Sequence, residues 1–322
     1  MSDQSGLPDD YFSYPHRGPG LDHDWFDRRT LAQAGPVLWP GGAKLALWIT
    51  IDLEHFPMDM PSRPFVPTGG MLRPYPSYWD YTQRDYGNRI GIHRIVRALD
   101  QVGFTASVAA NSEALRRHPA LVQAFVSRGW EIVASGVDMG RLHHGGLDRD
   151  VEAALVDRSV TTLRALTGQP VVGWHSPANS CSMHTYDLLP AHGIRYVTDW
   201  INDELPFPMR TKAGPLVCLP RNAELSDKTL LVEHVNTRAA YAAQLLAATR
   251  FLLDEATETQ GRILSLSLSP WVTGQPWCIA TLEGLLAQIA REPGLWCATG
   301  SEILQAWERD QPRRQPGAAS SV

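Results

Sequence analysis

Short apolar runs along this chain alternate with longer segments whose apolar residues recur at helical spacing. The run Lys44 to Asp52, KLALWITID, is almost continuously apolar, which predicts a strand covered on both faces. Asn88 to Val102 places Ile90, Ile92, Ile95, Val96 and Leu99 along one helical stripe, and Gly103 supplies a stop. The alternation then repeats: strand Phe104 to Ala109, helix Ser112 to Arg128, strand Glu131 to Ala134, helix Asp148 to Leu166, strand Val171 to Trp174, helix Thr185 to His192. Strands at Tyr196 to Thr198 and Leu216 to Leu219 precede the helix Arg238 to Ala256 and a long strand, Arg262 to Leu268. A helix Ile279 to Arg291, a short strand near Trp296 and a helix opened by Thr299 and Glu302 at capping-box spacing complete the series. Seven or eight strands, most followed by a helix and with no break at the midpoint, predict a single α/β domain over about residues 36 to 310, closed or nearly closed into a β/α barrel.

The flanks read differently. Residues 1 to 35 are polar, acidic and punctuated by Pro and Gly, with Tyr11, Phe12, Tyr14, Trp25 and Phe26 as aromatic points that can pin an irregular arm to the body. Residues 311 to 322 hold Pro, Gly, Ser and Arg with nothing to bury, which predicts a disordered tail. The connection from Phe56 to Gly87 breaks the βα rhythm with Pro57, Pro61, Pro64, Pro67, Pro74 and Pro76 among Phe65, Tyr75, Tyr78, Trp79 and Tyr81. Connections of that length in compact domains serve as lids or rims, so it is expected to cover an active site or contact a second subunit.

Composition narrows the function classes. A net charge of -5 gives no electrostatic reason to bind a phosphate backbone, so nucleic acid is not an expected partner. The acidic start carries no secretory signal and no later stretch approaches about 18 uncharged apolar residues, so a soluble, cytoplasmic protein without membrane contact is expected. Cys181, Cys218, Cys278 and Cys297 stand far apart without C-x-x-C spacing and are read as buried thiols. Eleven tryptophans supply aromatic walls for a core or a pocket.

In parallel β/α barrels reactive groups lie past the carboxyl ends of the strands. There the sequence offers Asp52, Glu54 and His55, then Asn111, then Ser135, Asp138, His143 and His144, then His175 and Ser176. Later strands add Asp199, Trp200, Asn202, Asp203 and Glu204, then Glu224 and Asp227, then Ser269 and Trp271. Carboxylates and imidazoles at one mouth suit hydrolytic proton transfer, because a carboxylate can take a proton from water while an imidazole gives one to the leaving group. Asn111 and Asp199 are equally readable as helix caps. His143 and His144, flanked by glycines, read as solvent-exposed, while His118 and His192 look structural. No G-x-S-x-G, G-x-x-x-x-G-K-[ST], H-E-x-x-H or strand-borne G-x-G-x-x-G pattern supports a serine hydrolase, phosphate-loop, zincin or dinucleotide reading.

Five ordered segments, LALWITIDLEHF, GWEIVASGVDMGRLHH, GWHSPANSCSMHTYDLLPAHGIRYVTDWINDELPF, LPRNAELSD and LSLSLSPWVTGQP, together resemble the polysaccharide deacetylase (NodB-homology) superfamily over roughly residues 36 to 307. They look most like its branch of metal-independent allantoinases and related amide or imide hydrolases. The resemblance implies a distorted (β/α)7 barrel and hydrolysis of a carbon–nitrogen bond that is usually not a peptide bond.

Departures from the family pattern bear on chemistry. Metal-using members supply an aspartate from the first motif and two histidines from the third strand; here Asp52 is kept, while Ser135 and Met139 stand at the histidine positions. His175 replaces a family arginine, and the C-terminal strand reads Ser267, Leu268, Ser269 where relatives end in histidines. No metal and no cofactor are therefore expected. The resemblance leaves Glu54, His175 and Asp52 as catalytic candidates and His55, Trp174, Asn202, Asp203, Glu224, Asp227, Ser269 and Trp271 as substrate-binding candidates for a small polar molecule. Two functions follow: a hydrolase in which Glu54 activates water and His175 stabilises or protonates the tetrahedral species, or a catalytically silent relative that binds a partner, as a homo-oligomer or beside an intact paralogue. If His143 and His144 folded back towards Asp52 and Glu54 they would rebuild a metal site.

Overall fold

The computed structural model describes residues 23–58, 76 and 78–310. Its nine-residue first strand, β1 (Leu45–Leu53), is buried along its whole length, which is why the run reads as continuously apolar. The later strands are β2 (Ser107–Ala110), β3 (Glu131–Ala134), β4 (Gly173–Trp174), β5 (Tyr196–Val197), β6 (Phe207–Met209), β7 (Leu216–Cys218), β8 (Arg262–Leu268) and β9 (Leu295–Cys297). They form one sheet in the order β6-β7-β5-β4-β3-β2-β1-β8, parallel except for β6. β8 runs along one edge of β1, while β9 pairs with its first half, Leu45 to Leu47, and β2 with its second, Thr50 to Leu53.

The expected barrel is present as a curled half-barrel sheet. Among the described residues β7 and β8 share no ladder, and side chains close the seam. The Asn222 amide donates to Ser265 Oγ at 2.6 Å and Arg221 Nε donates to Ser267 Oγ at 2.7 Å. The two-residue period of a strand then sorts the side chains. Leu45, Leu47, Ile49, Ile51 and Leu53 point into the outer layer, which is shared with the surrounding helices. Ala46 and Trp48 point inward, to a second cluster with Tyr196, Ile303, Leu304 and Trp307. Higher in the same inward row, Thr50 donates to Ser267 Oγ at 3.0 Å, so the interior changes from apolar to polar towards the strand carboxyl ends.

The helices are α1 (Tyr78–Tyr86), α2 (Ile92–Val102), α3 (Ser112–Arg117), α4 (Pro119–Val126), α5 (Arg149–Thr167), α6 (Thr185–Leu188), α7 (Arg238–Glu255), α8 (Ile279–Ile289) and α9 (Gly300–Asp310). Pro119 divides the helix expected over Ser112 to Arg128, because its ring removes the N–H that continuation would need. α5 starts where Asp148 Oδ1 accepts from the amides of Asp150 and Val151. The Thr299–Glu302 capping box forms as expected, with the Thr299 amide 2.8 Å from Glu302 Oε2. The start of α9 plugs the lower end of the half-barrel, where the Glu131 carboxylate accepts from Ser107 Oγ (2.7 Å), Tyr196 OH (2.9 Å) and the Ser301 amide (3.2 Å).

Two π-helical turns, Gly87–Gly91 and Lys228–Glu233, both lie beside the upper, polar end. Gly91 is required by close approach: a Cβ there would overlap the Pro270 carbonyl. In the arm, Trp25 and Phe26 are buried, Trp25 edge-on to Tyr186 and Phe26 against Trp200 and Phe207. Tyr11, Phe12 and Tyr14, most of the Pro-rich connection and the tail fall outside the described residues. All four cysteines are free, Cys218 and Cys278 buried and Cys181 and Cys297 half-buried. Among the described residues no helix is long and apolar enough to cross a membrane.

Candidate active site

The inward row of β1 leads directly to the chemistry. Asp52 sits at its upper end, 5% exposed, and both carboxylate oxygens are held by Arg221 Nη2 at 2.7 and 2.8 Å. Lys228 Nζ lies 2.8 Å from Asp52 Oδ2 and 3.1 Å from Glu54 Oε1, so one ammonium bridges two carboxylates. Arg84 approaches the other Glu54 oxygen at 3.8 Å, its guanidinium held over the rings of Trp271 (4.1 Å) and Phe56 (4.8 Å). Burial alone would raise the Asp52 pKa, but Arg221, Lys228 and His175 hold it well below the usual carboxylate range. Burial would likewise lower Lys228, yet Asp52 and Glu54 raise it above the usual lysine value, so it remains an ammonium.

These groups open onto a cavity of about 200 Å³ lined by Glu54, Arg84, His175, Arg221, Lys228 and Glu233, with Phe56 and Met139 among its apolar walls. His175 Nδ1 is 2.8 Å from Thr198 Oγ1 and 3.5 Å from Asp199 Oδ1. Asp199 is in turn fixed by the amide and hydroxyl of Ser176, both at 2.7 Å. The ring is thus oriented from behind, which leaves Nε2 as the nitrogen to serve the cavity. Asn111 occupies the N-cap position of α3, but its side chain makes no capping bond; it joins three strand ends by accepting from the His55 amide (2.8 Å) and donating to the Ser135 carbonyl.

Glu54 and His175 therefore share one cavity, and Asp52 forms its charged floor through Arg221 and Lys228. The other sequence candidates are placed elsewhere. Trp174 is fully buried in the core, its Nε1 donating to Ser176 Oγ at 2.9 Å. Trp271 supports Arg84 from behind. Asp227 and Ser269 are buried together, with the Ser269 amide donating to Asp227 Oδ2 at 2.7 Å and Thr273 Oγ1 3.0 Å from the same oxygen. Burial pushes the Asp227 carboxyl up to about 6 despite those two bonds. His55 is buried edge-on to Tyr81; burial, aided by the Arg117 charge, lowers its pKa to about 4. Asn202, Asp203 and Glu224 line a separate groove with Glu204, and Asp203 pairs with Arg29 at 3.1 Å. His143, expected to be solvent-exposed, is fully buried with Nδ1 2.9 Å from Glu152 Oε1, whereas His144 is exposed.

The sequence reading missed Arg84, Arg221, Lys228 and the bracing role of Asp199. Arg221 lies within the LPRNAELSD segment that follows a strand and Lys228 comes directly after it, so position alone could have nominated them.

No family model matches the chain. A protein of Schizosaccharomyces pombe named as a polysaccharide deacetylase is 22% identical, over 85% of this chain and 93% of its own length. Among solved structures, the Puue allantoinase superposes with a TM-score of 0.78 at 22% identity, covering 87% of this chain and 97% of that one. A Pseudomonas aeruginosa PAO1 structure named as a polysaccharide deacetylase gives 0.77 at 24% identity, over 86% and 95%. These neighbours indicate the NodB-homology polysaccharide deacetylase superfamily.

Metal-using members of that superfamily would place a divalent ion on Asp52 and the two histidine positions. Here the donor set does not fit one. Both Asp52 oxygens face cations, and Ser135 and Met139 offer a hydroxyl and a thioether in place of imidazoles. His143 is held by Glu152, within a buried group that also includes Ser182 and Thr185, which does not support its folding back to rebuild the site. Among the described residues no group of three or more His, Cys, Asp and Glu side chains is arranged to hold a metal ion.

Proposed function

We propose that this chain hydrolyses a carbon–nitrogen bond other than a peptide bond in a small amide, ureide or cyclic imide, without a metal ion. The observation that carries the reading is that Glu54 and a braced His175 line one small cavity whose cationic side chains are already in place. The solved allantoinase among its neighbours supports the same chemistry. Arg84, Arg221 and Lys228 face Asp52, Glu54 and Glu233, so the cavity is close to charge balance and suits a neutral, polar substrate. Glu54 takes a proton from water as the water oxygen adds to the carbonyl carbon. The carbon–nitrogen bond then breaks, its electron pair stays on nitrogen, and His175 Nε2 delivers the proton that the leaving nitrogen needs. An already polarised carbonyl, as in a cyclic ureide or imide, keeps the barrier within reach of such a site.

A panel of hydantoin, dihydrouracil, succinimide, allantoin and simple N-acyl amines, assayed with the wild-type protein, Glu54→Gln and His175→Asn, tests this. Turnover by the wild type that drops on the order of 10²-fold or more in Glu54→Gln is expected. Wild-type turnover unchanged by that substitution would remove Glu54 as the base. No turnover of any compound would leave a binding or partner subunit as the function.

A further inference from the structure

We propose that Lys228 is the electrophile of the site: its ammonium receives the negative charge that develops on the substrate carbonyl oxygen. This rests on the hydrolase reading above. An ammonium has three N–H donors. Lys228 uses one on Asp52 Oδ2 (2.8 Å) and one on Glu54 Oε1 (3.1 Å), and the third has no partner among the described residues. The side chain is 22% exposed and lines the cavity, so that third donor is accessible to a substrate rather than sealed in the core.

Its surroundings fit a fixed electrophile better than a simple counter-ion. Asp52 does not belong to Lys228 alone, because Arg221 Nη2 already contacts both of its oxygens. The carboxylate charge is thus divided between two cations, and Lys228 keeps positive charge to offer. Arg221 is anchored as well by Ser267, on the strand across the seam, so Asp52 and with it Lys228 stay in place as charge develops. Preorganised donors of this kind need no rearrangement at the moment of reaction, which is what makes them effective. The backbone contributes too: Lys228 opens the π-helical turn Lys228–Glu233, and the preceding residue, Asp227, ties that turn to the end of β8 through the Ser269 amide.

The step balances. The water oxygen bonds to the carbonyl carbon, one water proton passes to Glu54, and the carbonyl π pair moves to oxygen beside Lys228 Nζ. Collapse of that oxyanion expels the nitrogen with the former carbon–nitrogen pair, and His175 protonates it; the proton held by Glu54 then passes through solvent to His175 Nε2, restoring both groups. Lys228 gives up no proton over the cycle, in keeping with a pKa raised by its two carboxylates.

The test uses Lys228→Met, Lys228→Arg and Lys228→Ala with the substrate found by the panel, with thermal midpoints measured beside kcat and KM. Loss of an oxyanion donor should lower kcat about 10²- to 10³-fold in Lys228→Met with little change in KM. Lys228→Arg should recover part of the rate, and ethylammonium added to Lys228→Ala should raise kcat at least about tenfold, as expected when a missing donor is resupplied. A purely structural lysine would lower the midpoint while leaving kcat per folded molecule within about twofold, and that result would overturn the proposal. A rise in KM with kcat unchanged would also overturn it, since the contact would then be equal in ground and transition states. A wild-type protein that turns over nothing on the panel would instead overturn the hydrolase reading and this assignment with it.

Discussion

Two buried titratable groups near the mouth should give opposing pH dependences that largely cancel in the wild-type protein. Asp227 moves from 3.8 in the unfolded chain to about 6 in the fold, because burial outweighs the bonds from Ser269 and Thr273. An acid with a raised folded pKa is more protonated in the native state, so its contribution is favourable below about 4 and is lost as pH rises towards 6. At about 1.4 kcal/mol per pH unit, the loss is on the order of 3 kcal/mol. His55 does the reverse. Burial and the Arg117 charge lower it from 6.5 to about 4, so its neutral form favours folding above about 6.5 and stability falls, again by on the order of 3 kcal/mol, as pH drops to 4. Asp227→Asn removes the first term and His55→Gln the second. Urea unfolding at pH 4, 5, 6 and 7 would follow each variant against wild type. The stability of Asp227→Asn relative to wild type should rise with pH across this window, and that of His55→Gln should rise as pH falls. Parallel profiles for all three proteins, or slopes of the same sign, would refute the burial argument for both groups.

Arg221→Ala should destabilise the fold by about 3 kcal/mol or more, because it removes one of the two cations that contact the buried Asp52 carboxylate. The double variant Arg221→Ala, Asp52→Asn should cost clearly less than the sum of the two singles, which denaturant unfolding of all four proteins would measure. Gly91→Ala should lower both stability and turnover, since its Cβ would displace the turn Pro270–Gly274 and with it the Trp271 ring behind Arg84; an unchanged thermal midpoint would contradict this. Native protein should react only slowly with iodoacetamide at pH 8, because burial pushes the thiol of Cys181 up to about 11 and those of Cys278 and Cys297 up to about 12; complete labelling before unfolding would contradict it.

The strands that carry the site were legible because burial on both faces leaves short runs rich in apolar residues, near-continuous in β1 and interrupted by Ser265 and Ser267 in β8. Glu131–Ala134 and Arg262–Leu268 fall where the pattern places them, and β1 is displaced by a single residue. β6 was not legible: it is three residues long with Pro208 at its centre, too short for any alternation. Nor was the π-helical turn Lys228–Glu233, whose period leaves no distinctive spacing in so few residues. Within the site, looking for carboxylates and imidazoles after strands found Asp52, Glu54 and His175. It could not separate them from Glu224 and Asn202, which follow strands equally well but face another groove. It passed over Arg84, Arg221 and Lys228 because cations were not among the groups sought for hydrolytic proton transfer. Only the curl of the sheet, which brings the end of β7 against β8 and β1, shows that two of them meet over Asp52.

Hydrolysis by Glu54, His175 and Lys228 without a metal ion is tested most directly by following ring opening of a cyclic ureide or imide, by loss of its ultraviolet absorbance, with protein dialysed against chelator. The expected result is a rate that survives chelation, is not raised by added zinc or manganese, and falls on the order of 10²-fold or more in Glu54→Gln. A rate abolished by chelation and restored by a stoichiometric divalent ion would contradict it.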